Sequence, residues 1–217
     1  EKTYLYTAVR NIILVFSIIS FLILFIFAPQ IANLIIGGVE GGNTVSDVSK
    51  AIRVVSLALL VVPSLSVTRG YFNGHKIIGP TSISEVIEQV VRVIVIISGS
   101  FLVVKVFNLP VKVAVYIAIF GATIGAVVSF FYLKVKIKNN NGIIKTESIE
   151  EPVFTKVQLI KKIVFYALPF VIIDLVRSAY GMVDSFTVVK TMANLNYETS
   201  VAETTIGVLA TWASKLN

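Results

Sequence analysis

The sequence predicts an all-α membrane protein, a polytopic bundle of transmembrane helices, and three observations predict it. Of its 217 residues, 56% are hydrophobic and only 14% are charged, against about a quarter charged in an ordinary soluble domain. Mean hydropathy is +0.88, more than the core of one globular domain absorbs. The apolar residues also come in blocks divided by short polar punctuation, and several blocks reach the roughly 20 residues that cross a bilayer as a helix.

Charge supports the same class. The net charge is +7, from 19 basic and 12 acidic residues. The lysines lie mostly at the ends of apolar blocks, not interleaved with aromatics on one face. That pattern suits headgroups and membrane orientation, not nucleic acid. Cysteine is absent, which excludes a disulfide framework, a thiolate metal site and a thiol nucleophile. The chain starts at Glu1 with no charged n-region and cleavage site, and both ends read as cuts in a longer protein.

The first block runs from about Ala8 to Ala28 and is expected to stop at Pro29. A turn-rich loop follows, holding Gly37, Gly38, Glu40, Gly41, Gly42, Asn43 and Asp47. The second block, about Ser49 to Val67, contains Pro63 and should kink there. Thr68 to Lys76 is polar and is expected to be a loop, ahead of a third block from about Ser82 to Phe107. An Asn108-Leu109-Pro110 turn leads to the fourth block, about Val111 to Leu133. Its Gly121 and Gly125 form a small-xxx-small pattern for close helix packing. Residues 134–156 have the composition of a linker. The fifth block, about Val157 to Val189, contains Pro169, and a truncated sixth segment starts near Ala202.

Basic residues set the orientation. The loop between Pro29 and Ser49 has acids but no Lys or Arg, so it is placed outside. Lys2 and Arg10, Arg69 and Lys76, and the seven lysines from Lys134 to Lys162 then fall inside. Lys105 and Lys112, beside the second outer turn, run against this count.

A charge at mid-depth costs a few kcal/mol or more in lipid, so ionised side chains there face one another or a water-filled cavity. Two clusters qualify. Glu85, Glu88, Gln89 and Arg92 stand at offsets of 3, 4 and 7 on one face of the third helix, with Glu88 and Arg92 able to pair. Glu85 also closes a Ser82-Ile83-Ser84-Glu85 capping box at the expected helix start. Arg92 would lie about 15 Å inside that start. The second cluster is Asp174, Arg177 and Asp184 with Tyr180 on the fifth helix, where two carboxylates offset the burial of one guanidinium. Structural ion pairing is the plain alternative to a substrate-facing role at both places. His75 has no acidic or cysteine neighbours and supports neither a metal nor a catalytic site. No Gly-x-Ser-x-Gly or phosphate loop occurs, so an enzyme is not expected.

The segment from Arg69-Gly70-Tyr71-Phe72-Asn73-Gly74 through Gly79-Pro80-Thr81 and Glu88-Gln89-Val90-Val91-Arg92 resembles a signature of the MATE-like flippases. The branch is that of polysaccharide-biosynthesis and stage V sporulation B proteins, which includes the MurJ-type lipid II flippases. Tyr166-Ala167-Leu168-Pro169-Phe170 with Met182-Val183-Asp184-Ser185-Phe186-Thr187 resembles the helix that opens the second lobe of that family. Asn73 replaces the usual Gln, and Ser84-Glu85 the usual Ser-Gln.

The resemblance implies a two-lobe transporter of roughly twelve to fourteen helices. Residues 1–133 would end the N-terminal lobe, 134–156 would be a cytoplasmic linker, and 157–217 would begin the C-terminal lobe. It implies a monomeric flippase in the bacterial cytoplasmic membrane, working by alternating access on an undecaprenyl-pyrophosphate-linked saccharide. Arg92 and Arg177 are the expected pyrophosphate contacts. Glu88, Asp174 and Asp184 would hold them or bind a coupling cation; no other cofactor is expected. A cation-coupled drug exporter of the same fold is the alternative, and a membrane glycosyltransferase or polymerase a weaker one.

Overall fold

A computed structural model describes residues 2–36, 44–139, 156–195, 201, 204, 205, 207 and 208. Regular structure among the described residues is entirely helical. Five helical segments are long and apolar enough to cross a membrane: Val9–Ile26, Val45–Gly74, Ile78–Val106, Val111–Asn139 and Val164–Asp184. The sixth segment expected near Ala202 falls almost wholly outside the described residues.

Helix α1 spans Lys2–Ile26 and α2 spans Ala28–Ile36. The first block therefore does not stop at Pro29. The Phe27 amide donates to Ile23 O at 2.9 Å and the Ile31 amide to Phe27 O at 2.9 Å, so bonding continues across the bend. Pro29 sits in the first turn of α2, where a missing N–H leaves nothing unsatisfied.

A break also precedes Pro63. Helix α3 ends at Ala58 after starting at Val45, and α4 runs Val62–Gly74. Three tightened bonds join them, from the Leu59, Leu60 and Val61 amides to Ser56, Leu57 and Ala58 O at 3.0, 3.2 and 3.1 Å. Proline excludes the helical bond of its own amide, and the chain meets this by placing Pro63 in a new first turn.

From Thr68 to Gly74 the chain is helical, which corrects the expected loop. Only His75 to Ile77 connect α4 to the next helix. Lys76 takes a left-handed backbone (φ 59°), and the Ile77 amide returns to Phe72 O at 3.0 Å, closing the helix end.

Helix α5 spans Ile78–Phe101 and continues as a π-helical turn over Leu102–Val106. Starting at Ile78, it leaves Ser82 to Glu85 in its interior, so the expected capping box does not exist. Ser84 instead donates to Thr81 O at 2.7 Å. The turn at Asn108 (φ 51°) appears as expected. Helix α6, Val111–Asn139, runs past Leu133 through residues assigned to the linker, and α7 spans Lys156–Asn194. Residues 140–155, the rest of that linker, lie outside the described residues.

The chain divides into two units, residues 1–35 with 45–153, and 36–44 with 154–217. In the first, α5 packs most extensively on α6, α1 lies against α3 and α4, and α6 touches both α3 and α4. Leu65, Phe72, Ala126 and Leu133 form a small core with Phe130 and Ile137 against it. Side chains such as Phe16, Ile97, Phe101 and Phe131 are exposed, an apolar perimeter that suits acyl chains. In the second unit, every side chain of α7 from Val164 to Asp184 is exposed.

Candidate functional site: two arginines on one glutamate

The site begins with a glycine. A Cβ added at Gly125 of α6 would lie 2.6 Å from Glu88 O and 3.4 Å from Glu88 Cγ. One turn earlier, a Cβ at Gly121 would meet Val95 Cγ1 at 3.3 Å and Arg92 O at 3.5 Å. The small-xxx-small pair thus seats α6 directly on the stretch of α5 that bears Glu88 and Arg92, the packing role read from the sequence.

Glu88 holds two guanidinium groups at once. Arg92 Nη2 donates to Glu88 Oε1 at 2.8 Å, one turn along α5, and Arg69 Nη2 reaches from α4 to Glu88 Oε2 at 2.8 Å. Arg69 Nε also donates to Ser84 Oγ at 2.9 Å, and its Nη2 to Ser129 Oγ of α6 at 3.2 Å. Ser129 in turn donates to Ser84 O at 2.7 Å. Arg92 Nη1 makes a longer bond to Gln89 Oε1 at 3.4 Å. Side-chain exposure is 12% for Glu88, 19% for Arg69 and 32% for Arg92. The carboxylate is the most enclosed member and the arginines face outward from it.

Two positive charges around one negative charge leave a surplus of one. Arg92 Nε is buried without a hydrogen-bond partner. An unsatisfied buried donor costs about 1–3 kcal/mol, so the cluster carries both a surplus charge and an unmet hydrogen bond. With α5 starting at Ile78, Arg92 lies about 21 Å along it, deeper than the sequence suggested.

Of the predicted residues, the structure brings Glu88 and Arg92 together and leaves Glu85 exposed outside the network. Asp174, Arg177 and Asp184 share α7, all of them exposed. Arg177 lacks the enclosed setting of Arg69, since its side chain is exposed.

Arg69 is the member that sequence reasoning missed. By composition it belongs with the inside loop charges, since Gly70, Asn73 and Gly74 are turn-forming residues, whereas packing of α4 on α1, α5 and α6 keeps this stretch helical. At the other end of α6, Lys112 pairs with Asp47 of α3, and Tyr116 Oη donates to Asp47 O at 3.2 Å. One of the two lysines that run against the charge count is therefore tied to an acid in the first turn of α3.

The polysaccharide biosynthesis protein family is matched over residues 1–211. This chain belongs to it. Within the family, the chain is 36% identical to the lipid II flippase MurJ of Bacillus subtilis (strain 168) over 215 residues, 95% of this chain and 38% of that protein. It is 29% identical to the uncharacterized membrane protein YabM of the same organism over 145 residues, 64% of this chain and 26% of that one. The chain thus spans under two-fifths of the length of these relatives. No solved structure matches it significantly. The resemblance to the MurJ-type branch of the MATE-like flippases holds, and the family member is a multi-pass protein of the bacterial cytoplasmic membrane. The relative's activity is that of a transporter, not an enzyme.

Proposed function

We propose that this polysaccharide biosynthesis family chain forms part of a flippase that moves an undecaprenyl-pyrophosphate-linked saccharide, lipid II or a related cell-wall precursor, across the membrane by alternating access. The observation that carries the reading is the Arg69–Glu88–Arg92 cluster, which puts surplus positive charge within membrane-spanning helices. A pyrophosphate offers several acceptor oxygens, and guanidinium groups match them as bidentate donors. Arg92 and Arg177 contact the pyrophosphate in this scheme. Arg69 joins them, and Glu88 keeps two of the three charges together until the anion arrives. Asp174 and Asp184 position Arg177 or bind a coupling cation. The polyprenyl tail stays in lipid along the apolar perimeter. Similarity to a lipid II flippase over 95% of this chain supports the choice of cargo.

The test uses the full-length protein in proteoliposomes with a fluorescent lipid-linked precursor. Loss of a charge-assisted hydrogen bond is worth about 1.5–3 kcal/mol. Arg92→Gln and Arg177→Gln should therefore each slow flipping about tenfold or more, and the double variant should abolish it. Unchanged flipping by the double variant overturns the assignment. Inhibition by small organic cations in place of lipid-linked anions would favour the drug exporter.

A further inference from the structure

A recess lies between α1 and α4, whereas Arg69 of α4 reaches to α5 and α6. It is a cavity of about 240 Å³, lined chiefly by Tyr6 and Val9 and by Gly70, Tyr71, Gly74 and His75. Its walls are mostly apolar and aromatic. The Tyr6 and Tyr71 rings are 4.6 Å apart, and Tyr71 and His75 are 4.5 Å apart edge to face. Gly70 and Gly74, one turn apart, leave the groove open: a Cβ at either position meets nothing within 4 Å.

Basic side chains flank this groove. The Arg10 guanidinium lies 5.7 Å from the centre of the Tyr6 ring, exposed Lys76 follows His75, and none of the lining residues is acidic. The end of α4 that bears Lys76 is the basic, inner end in the orientation set by the loops. Aromatic side chains concentrate at that interface, and the inner leaflet holds the anionic lipids that attract juxtamembrane Lys and Arg.

We propose that this groove is a binding site for an anionic phospholipid of the inner leaflet, separate from the site of transport. One acyl chain lies along the surface opened by Gly70 and Gly74, against the outer faces of the tyrosine rings. The headgroup phosphate meets Arg10 and Lys76. Because every membrane lipid brings an acyl chain, the groove supplies the location and the two cations supply the preference, about fivefold for each basic residue near the surface.

Native mass spectrometry of the full-length protein, titrated with phosphatidylglycerol or phosphatidylcholine, tests this. The wild type should retain phosphatidylglycerol with at least a fivefold preference. Gly70→Leu with Gly74→Leu fills open space, so the protein should fold normally while that preferential retention disappears. Arg10→Gln should reduce the preference about fivefold while leaving phosphatidylcholine unchanged. Gly79→Ala, also in open space but outside the groove, should bind as wild type. Equal retention of both lipids by the wild type overturns the proposal; that is the result expected if a further helix of the longer chain fills the groove. Undiminished phosphatidylglycerol binding by the Gly70/Gly74 double variant overturns it as well.

Discussion

Glu88 is the residue whose loss should be felt most. Removing one partner of a buried ion pair costs about 3–5 kcal/mol, because the remaining charge stays enclosed without compensation. Glu88→Ala leaves two guanidinium groups facing one another. It should lower thermal stability in detergent by more than Arg92→Ala, since Arg92 is the more exposed partner at 32% against 12%. A thermal-shift comparison of the two variants checks the order, and equal losses would mean that the carboxylate is not the hub. Gly125 gives a complementary steric case. Any side chain there meets Glu88 O at 2.6 Å, so Gly125→Leu should destabilise by at least the 1–3 kcal/mol of an overpacked core. The same substitution at Gly70, which has open space, should be nearly neutral. Pairing of Glu88 with Arg92 could be read from their four-residue spacing, because that interaction is local to one helix. The contribution of Arg69 could not, because it depends on which helices are neighbours in space.

Among the elements, prolines and charges explain both what could be read and what was missed. Apolar blocks of sufficient length identified the spans, since a bilayer fixes the minimum length of a crossing helix. Their ends were misjudged at Pro29, at Pro63 and before Ile78 for one reason. Pro29, Pro63 and Pro80 each lie in the first turn of a helix, whereas Pro169 lies inside α7, and position within a helix cannot be read from the residue alone. Pro63→Ala should accordingly change stability by less than 1 kcal/mol, whereas an interior proline contributes a kink worth about 3 kcal/mol. The Lys112–Asp47 pair is another modest contributor. Lys112 is 56% exposed, and solvent screening leaves such exposed pairs little net stabilisation. Asp47→Asn should shift the midpoint of thermal unfolding only slightly, and a large drop would show that the pair is shielded by lipid.

For the whole molecule, orientation is the quantity open to a direct check. The chain has no cysteine, so one introduced thiol reports one position in a variant of the full-length protein otherwise free of them. A cysteine at Lys76 should react with an impermeant maleimide only from the cytoplasmic side, and one at Asn108 only from the outside. Labelling of both from the same side would reverse the reading of α5 as a complete span. Fold class and family were legible because hydropathy and a continuous motif are properties of the chain itself. The second cluster, Asp174, Arg177 and Asp184, is different: its single stripe on α7 follows from helical period, but helical period does not say what a stripe faces.

Arg69 of α4 holds Ser84 and Glu88 of α5 and Ser129 of α6 with one planar group. Mechanically, this is a rivet through three spans at a single depth. If the protein rocks between inward- and outward-facing shapes, these spans travel as one solid piece near the rivet, and sliding is confined to their free ends or to surfaces elsewhere. Severing it with Arg69→Met should speed amide exchange in the last turn of α4 and the first turns of α5 together, while α1 keeps its protection.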